Sequence, residues 1–404
     1  MKHILPPFGR SRWQPAIGLV LVLGVLLLIV VLLPRFGPLS CDGACVQSVS
    51  GADTITVNYT TADNDTLSFT VPVEDERMAN AEEGWAWVPR SSLPSALKAV
   101  SPDFSAGVVG VGEWALVGRL SATTEQIGPR EVTIVAPTES QADPAVIARE
   151  LSAVTSEYDL EPKRADPVLL IYAPRVLPDK GRMYDRTGYV TTSHFRDGDV
   201  SSVWIHEYIH SVQNFETEDE MQWFREASAT YLTMRFLGEQ YQDVGEPAVR
   251  DRMLGLQDSM VCLCNVTACQ ETNAHYYRGA RLLYAIDSEI RRSTNGTHTL
   301  VDVFRAMNAR DDPISIVEFQ ALCENASGTD MAWIGSVIQD RDYDLKQHIT
   351  EIEAFGAQPG IREQVTDHPM AVRFLPEIDF GEVTAPDRPH FRGEHCRERG
   401  VYSA

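Results

Sequence analysis

The sequence predicts an α+β protein: an apolar N-terminal helix, a small β-rich domain, then a larger domain with a mixed-sheet lobe and a helical lobe. Three observations predict this order. Residues 16–33 are uninterruptedly apolar, strand-like alternation dominates to about residue 135, and helical periodicity dominates afterwards. The predicted divisions are a cytoplasmic N-terminus, a transmembrane helix, a β-rich domain, the larger domain and an irregular tail, at residues 1–15, 16–33, 41–135, 136–354 and 355–404.

The apolar run from Ala16 to Leu33 is 18 residues long, which is the lower limit for a helix that spans a bilayer. Lys2, Arg10 and Arg12 precede it, so the positive-inside rule places the N-terminus in the cytoplasm. We therefore expect a single-pass signal anchor in the cell membrane and an extracytoplasmic remainder. Cleavage near Cys41, as in a lipoprotein, is one alternative. A buried helical hairpin is another.

The composition is strongly acidic, with a formal net charge of -22 and a pI near 4.8. This charge excludes a nucleic-acid-binding surface as the default expectation. A solvated acidic surface is typical of proteins in concentrated salt, so a halophilic source is one interpretation, and an ordinary acidic exported protein is the other.

Cysteines and glycosylation sequons agree with export. Cys262, Cys264 and Cys269 lie within eight residues, but no histidine accompanies them at zinc-finger spacing. Disulfides are therefore favoured over a second metal site, and the odd total of seven cysteines leaves one thiol free or lipidated. Asn-x-Ser/Thr sequons occur at Asn58, Asn64, Asn265, Asn295 and Asn325.

The β-rich domain is predicted from alternation and from Gly and Pro punctuation. The predicted strands are Thr54–Thr60, Thr66–Val73, one or more within Val108–Leu120, and Arg130–Val135. Such a domain could bind a partner or could serve only as a spacer between the membrane and the larger domain.

The chemistry of the chain is concentrated in His206-Glu207-Tyr208-Ile209-His210. Residues four apart on a helix lie on one face about one turn apart, so both imidazoles can bind one metal ion with Glu207 beside them. This geometry is typical of the zincin hydrolases. The alternative is a helix with two unrelated histidines.

A catalytic zinc ion takes three protein ligands and leaves one position for water, so a third ligand is required. Thr217 to Glu220 matches a capping box and predicts a helix that runs to Gly238. Glu226 falls on an otherwise apolar face of that helix, where a carboxylate is costly unless a positive charge meets it. Glu226 is therefore the candidate third ligand; a solvated or arginine-paired Glu226 is the alternative.

Taken together, these segments resemble the gluzincin metallopeptidases, especially the branch of aminopeptidase N and the glycyl aminopeptidases. The motifs are His206-Glu-x-x-His210, Trp223-x-x-Glu226-Ala-x-Ala-x-Tyr231, and Tyr276-Tyr-Arg-Gly-Ala280, which is similar to the Y-x-K-G-A segment of that branch. The resemblance covers about residues 165 to 340.

The resemblance implies a thermolysin-like zincin domain that hydrolyses peptide bonds with a water molecule activated by Zn²⁺. It implies that His206, His210 and Glu226 hold the zinc ion, and that Glu207 is the general base. The first tyrosine of the third motif, Tyr276, would be the donor to the transition state. A core tyrosine is the alternative for Tyr276.

Three departures from the family pattern bear on specificity. Ala227 replaces the usual Gly, and fifteen residues separate His210 from Glu226, fewer than is common. A G-x-M-E-N segment, with which classical aminopeptidases hold the free amine of a substrate, is absent, and Gly181-Arg-Met-Tyr-Asp185 does not match it. An aminopeptidase and a thermolysin-type endopeptidase therefore both stay open, as does a non-catalytic surface binding or envelope protein on the same scaffold.

The elements around the motifs fit this fold class. We predict a helix, a strand, a further strand and the metal-binding helix in that order, followed by a mostly helical lobe. Gly188–His194 is interpreted either as a sheet edge that binds an extended peptide as an added strand or as an ordinary edge strand. The predicted elements are Pro144–Tyr158, Pro167–Ala173, Gly188–His194, Val203–Phe215, Asn273–Arg292, Leu300–Ala309, Ile314–Asn325 and Asp330–Gln339.

Overall fold

The computed structural model describes most of the chain between residues 45 and 356, and all of it belongs to one compact unit, Gly43–Ala404. The predicted anchor and most of the predicted tail lie outside the described residues. No helix in the described part combines the length and the apolarity needed to cross a bilayer. The described residues are 45–49, 54–60, 66–72, 79–80, 84–93, 107–158, 160, 166–174, 180–196, 200–241, 243–256, 262–264 and 273–356.

The first seven strands form two antiparallel sheets, which confirms the strand-like character predicted for this region. The three-stranded sheet consists of β1 (Cys45–Val49), β2 (Thr54–Thr60) and β3 (Thr66–Pro72). The four-stranded sheet, in the order β4-β5-β7-β6, consists of β4 (Ala79–Asn80), β5 (Trp85–Pro89), β6 (Val108–Val111) and β7 (Trp114–Gly118).

A third, mixed sheet has the order β11-β12-β10-β9-β8. Strands β9, β10 and β12 are parallel, and an antiparallel strand flanks them on each side. This sheet takes strands from both sides of residue 135, the boundary predicted between the two domains. Its strands are β8 (Leu120–Ile127), β9 (Arg130–Pro137), β10 (Val168–Tyr172), β11 (Gly181–Tyr184) and β12 (Thr187–Val190).

The mixed sheet is apolar on both faces because alternate residues of each central strand point to opposite sides. Ile134 and Leu170 join the larger core, which the helices share. Val135 and Ile171 join a second core with Trp87 and other residues of the four-stranded sheet. The sheet is therefore sandwiched between the helical part and the N-terminal strands.

Nine α-helices are described, and with the mixed sheet that precedes most of them they confirm the α+β class. A short 3₁₀ helix at Asp219–Met221 and a π-helical turn at Asn273–Arg278 accompany them. The helices are α1 (Pro144–Tyr158), α2 (Val203–Val212), α3 (Trp223–Gln240), α4 (Gly245–Gly255), α5 (Gly279–Ser293), α6 (Leu300–Asn308), α7 (Ile316–Ser327), α8 (Trp333–Gln339) and α9 (Leu345–Gly356).

Two local predictions are wrong. Thr217 does not cap a helix, because its extended backbone forms a parallel bridge with Ile314, and α3 begins only at Trp223. The segment that begins at Gly188 is not the sheet edge, because β12 is paired with β10 on one side and with β11 on the other. A tight turn, in which Asp185 has φ 56°, folds β11 back and makes it the edge.

The helical part is held together by a buried carboxylate. Asp287 of α5 is 2% exposed and accepts hydrogen bonds from the Tyr231 hydroxyl, the Arg291 Nε and the Leu300 amide, each at 2.6 Å. These donors lie on α3, on α5 and at the first residue of α6. One charged group thereby ties three helices, and all of its partners are present, as a buried charge requires.

No disulfide joins the three cysteines whose side chains the structure describes. Cys262, Cys264 and Cys323 are free thiols, and the Sγ atoms of Cys262 and Cys264 lie 2.7 Å apart. Burial and the neighbouring Cys262 raise the pKa of Cys264 to about 11. The side chains of the other four cysteines lie outside the described residues, so the predicted disulfides stay a prediction.

Candidate metal centre

Helix α2 begins where the polar run before it ends, as predicted. Ser202 is the N-cap residue, and its hydroxyl accepts a hydrogen bond from the Ile205 amide at 3.3 Å. Trp204 is fully buried, and its Nε1 donates to the Thr192 carbonyl at 3.0 Å. The apolar side of α2 thus packs into the larger core and leaves its histidines directed away from that core.

The C-terminal end of α2 is fixed by two distant side chains. Arg130 Nη1 donates to the Ser211 carbonyl at 2.5 Å, and Asn308 Nδ2 donates to the Val212 carbonyl at 2.9 Å. These bonds satisfy carbonyls that have no partner within the helix. The positive charge of Arg130 also matches the negative end of the helix dipole. The helix is therefore held at both ends.

The three predicted metal ligands meet at one point. The Nε2 atoms of His206 and His210 are 3.1 Å apart, and Glu226 Oε2 lies 3.1 Å from the first and 3.2 Å from the second. They form a metal-ligating group with all ligand atoms within 4.8 Å of one another. Helix α2 supplies both imidazoles and α3 supplies the carboxylate.

This group fits a zinc ion by size and by chemistry. Ligands about 2.05 Å from a tetrahedral zinc lie about 3.3 Å from each other, close to the observed spacing. Two imidazoles and one carboxylate are a donor set that catalytic zinc sites use, and three ligands leave a fourth position for water.

The electrostatics of the group also suit a cation. Burial acts to raise the pKa of the Glu226 carboxyl, but hydrogen bonds and charge from His206 and His210 lower it well below its usual value. Burial acts to lower the pKa of His210, but the hydrogen bond and charge of Glu226, with Glu207, raise it overall. Glu226 is therefore ionised at neutral pH and offers a metal ion a negatively charged ligand.

Glu207 lies beside this group on α2 and is only 5% exposed. Its side chain packs against the backbone of Gly181 in β11: a β-carbon at Gly181 would lie 2.7 Å from Glu207 Oε1 and 2.8 Å from Glu207 Cγ. Real β-carbons do not approach other atoms so closely, so the contact requires glycine. The edge strand and the predicted general base are thus in direct contact.

Tyr276 is also brought to the centre. Its ring is stacked on that of His206, with centroids 5.7 Å apart and an angle of 15° between the planes. It lies in the π-helical turn that precedes α5, and such turns are frequent at functional sites. A β-carbon at Gly279 would lie 2.7 Å from Ala227 Cβ, so the absence of a side chain lets this turn approach α3 next to Glu226.

No protein-family model matches this chain. No curated protein matches it either. Solved structures, however, do match it. The structure is similar to those of M1 zinc metallopeptidases. One of these structures is of an aminopeptidase N family protein, the branch that the motifs resemble.

Three of the solved structures show the extent of the likeness. The M1 zinc metallopeptidase of Deinococcus radiodurans is 16% identical, with a TM-score of 0.44, over 74% of this chain and 61% of that one. An aminopeptidase N family protein of Idiomarina loihiensis is 14% identical, with a TM-score of 0.39, over 79% and 65%. Aminopeptidase A of Legionella pneumophila, in complex with aspartic acid, is 15% identical, with a TM-score of 0.42, over 56% and 29%.

The chain therefore spans less than two thirds of the length of each of these three proteins.

Sequence reasoning missed the residues that hold the ligands in place. Arg130 and Asn308 are far from α2 in sequence, and no local pattern marks them. Gln213 contacts His210, and its only signal is its position three residues after that histidine, which is contact distance near a helix end. Gly181 had a signal, because it begins the segment that was compared with G-x-M-E-N.

Replacing Gly181 with alanine should displace Val203, Glu207 or β11, because the added methyl group would lie 2.6 Å from Val203 Cγ1 and 2.7 Å from Glu207 Oε1. We expect the Gly181→Ala variant to lose about 1–3 kcal/mol in its free energy of unfolding, measured with urea. Gly255→Ala is the control: a β-carbon at this helical glycine meets nothing within 4 Å, so stability should stay the same or rise by up to about 1 kcal/mol. Equal stability of the two variants would contradict the close contact.

Proposed function

We propose that this chain is a zinc metallopeptidase that hydrolyses peptide bonds. One observation carries the proposal: three ligand atoms of His206, His210 and Glu226 lie within 4.8 Å of one another, with the buried Glu207 one residue from the first ligand. A purely structural zinc site usually has four protein ligands, whereas this group has three. The arrangement therefore supports a hydrolytic centre.

Different residues of the site have different roles in hydrolysis. A zinc ion held by the three ligands would lower the pKa of a bound water towards neutrality and polarise the carbonyl group of the substrate. Glu207 takes the proton from the attacking water at its carboxylate and passes it to the leaving amine. The Tyr276 hydroxyl donates a hydrogen bond to the oxyanion that develops, an interaction that is stronger in the transition state than in the substrate.

An extended peptide substrate would lie along β11. This strand is the edge of the mixed sheet, and its first residue touches Glu207. A peptide that pairs with an edge strand gains backbone hydrogen bonds independent of its sequence. Strand β11, and not the segment Gly188–His194, is thus the edge that would pair with an extended peptide.

The sequence of β11 favours an endopeptidase over an aminopeptidase. The strand has Gly181 and Met183 of the G-x-M-E-N pattern, but Tyr184 and Asp185 stand where the pattern has Glu and Asn. The Tyr184 ring packs on Gly112, whose β-carbon would lie 2.8 Å from Tyr184 Cζ, and the Arg182 guanidinium lies 5.2 Å from the ring centroid. The glutamate that would bind a free amine is therefore replaced by Tyr184, whose ring contacts the guanidinium group of Arg182.

We expect N-acetylated peptides to be cleaved at least as fast as the same peptides with a free N-terminus. The reason is that position 184 is a tyrosine, so no glutamate there binds the N-terminal ammonium group of a free peptide. The measurement is kcat/KM for matched free and acetylated peptides, with product masses to locate the cut. Release of N-terminal residues alone, abolished by acetylation, would establish an aminopeptidase instead.

The Glu207→Gln variant should bind zinc with the wild-type stoichiometry and lose roughly 10²- to 10⁴-fold in kcat, because an amide cannot accept the proton. Zinc content by metal analysis and hydrolysis with and without a chelator are the measurements. An active variant would dismiss the general-base role. A wild-type protein that holds zinc but cleaves no peptide would favour the non-catalytic alternative.

The Tyr276→Phe variant should retain the stacking on His206 and lose only the hydroxyl group. We expect kcat to fall roughly 10²- to 10³-fold, as when one oxyanion donor is removed, with a smaller change in KM. Tyr277→Phe, at the adjacent half-buried tyrosine, is the matched control and should leave kcat near the wild-type value. An unaltered kcat for Tyr276→Phe would remove this residue from the reaction.

We also propose that residues 16–33 anchor the protein in the cell membrane with the metal centre outside. The support is the length of the apolar run and the basic residues before it. The full chain should stay in the membrane fraction after an alkaline carbonate wash, and a variant without residues 1–42 should not. Recovery of the full chain in the wash would overturn the proposal.

A further inference from the structure

Gln213 lies between the two helices that supply the metal ligands. It follows the last residue of α2 and is only 6% exposed. Its side-chain amide has three partners: the His210 Nδ1 lies 2.9 Å from Oε1, and Nε2 lies 2.7 Å from the Arg225 carbonyl and 2.9 Å from the Ser228 Oγ. One side chain therefore touches a metal ligand on one side and α3 on the other.

The partners of Gln213 determine which way its amide points. The Arg225 carbonyl can only accept a hydrogen bond, so the amide nitrogen must face it. The amide oxygen then faces the His210 Nδ1 and can only accept, so Nδ1 must carry a hydrogen atom. In neutral imidazole the other nitrogen, Nε2, then has a free lone pair. That nitrogen is the one that faces His206 and Glu226.

The α3 end of the same network surrounds the third ligand. Arg225 directly precedes Glu226, and Ser228 lies two residues after it. The Ser228 hydroxyl also donates to the Arg225 carbonyl at 3.2 Å. The amide of Gln213 thus connects the ring of one ligand to the helical turn that carries another, and these elements come from opposite ends of a fifteen-residue link.

We propose that Gln213 is a positioning residue of the metal centre: it fixes the tautomer and orientation of His210 and sets the distance of that ring from Glu226. The inference rests on the proposed zinc site and adds a residue that the motifs do not contain. Hydrogen-bond partners of metal-bound histidines commonly orient the ring in this way, most often through a carboxylate or a backbone carbonyl. Here the side-chain amide of Gln213 orients the ring, and its Nε2 group is held by hydrogen bonds to the Arg225 carbonyl and the Ser228 hydroxyl.

The test compares zinc affinity in three variants by competition with a chelator at fixed pH. Gln213→Leu removes the acceptor and both donors at similar volume, and we expect zinc to bind roughly 10- to 100-fold more weakly. Ser228→Ala keeps the contact with His210 and removes one anchor, so a smaller loss in the same direction is expected. Gln347→Ala is the control, because Gln347 of α9 is exposed and its side chain donates a hydrogen bond to Glu351, far in sequence from both metal-binding helices; the zinc affinity of this variant should match that of the wild type.

A second measurement separates positioning from general stability. The increase in Tm caused by zinc should shrink in Gln213→Leu, whereas a purely structural role would lower the Tm of the zinc-free and zinc-bound forms equally. The absorption spectrum of the cobalt-substituted protein should also change, because it reports the ligand geometry. Gln213→Glu restores an acceptor for His210 but no donors, so its zinc affinity should lie closer to wild type than that of Gln213→Leu.

Unchanged zinc affinity and an unchanged cobalt spectrum in Gln213→Leu would overturn the inference and leave the proposed peptidase intact. A wild-type protein that binds no zinc would overturn both. Should Gln213→Leu fail to fold, the Ser228→Ala and Gln213→Glu variants decide the question by the same two measurements.

Discussion

The metal centre depends on one constraint: ligand atoms from two helices must lie close enough together to bind a single ion. These atoms are the Nε2 atoms of His206 and His210 on α2 and the Oε2 atom of Glu226 on α3. Helix α2 alone sets the relation between His206 and His210, because a fixed helical spacing places both rings on one face. Glu226 comes from α3, so its distance of 3.1–3.2 Å from the imidazole nitrogens depends on how the two helices pack. An error of an ångström in that packing would separate the carboxylate from the metal.

Aromatic packing maintains the relation between these helices. Phe215 in the link and Phe224 at the start of α3 have ring centroids 5.6 Å apart, and Phe224 contacts Phe319 of α7 at 5.1 Å. All three are buried, and edge-to-face contacts of this kind restrict the angle between elements as well as their separation. Polar bonds from Arg130, Asn308 and Gln213 complete the junction with directional contacts. The aromatic contacts thus determine how closely the two helices approach each other, and the hydrogen bonds determine their relative position along the helix axes.

How far the sequence could predict this arrangement differs from residue to residue. The three metal ligands were predictable for two reasons. His206 and His210 are four residues apart and so lie on one face of a helix, and Glu226 is a carboxylate on an otherwise apolar helix face. Helix α1 was also predicted with its observed bounds, since its periodicity is strong and long. These features are local, so local patterns carry them.

The features that could not be predicted depend on contacts between distant segments. Gln213 is an ordinary polar residue until α3 packs beside it. The sheet edge was missed because β11 has four residues and is defined by its pairing with β12. The π-helical turn around Tyr276 has no sequence signature, and the chain approaches α3 closely at Gly279, directly after the turn. In each case the deciding partner is remote in the chain.

The mixed sheet has a practical consequence for anyone who wishes to isolate the hydrolytic part of this protein. Two of its five strands, β8 and β9, precede residue 138, and residues 132–135 of β9 pair with β10. A polypeptide trimmed to begin at residue 136 would lose β8 and all of β9 except its last two residues, uncovering Leu170 on one face and Ile171 on the other together with the backbone edge of β10. Such a fragment would be prone to aggregate, so a usable truncation has to start upstream of Leu120 and keep the strands that cover the second face as well.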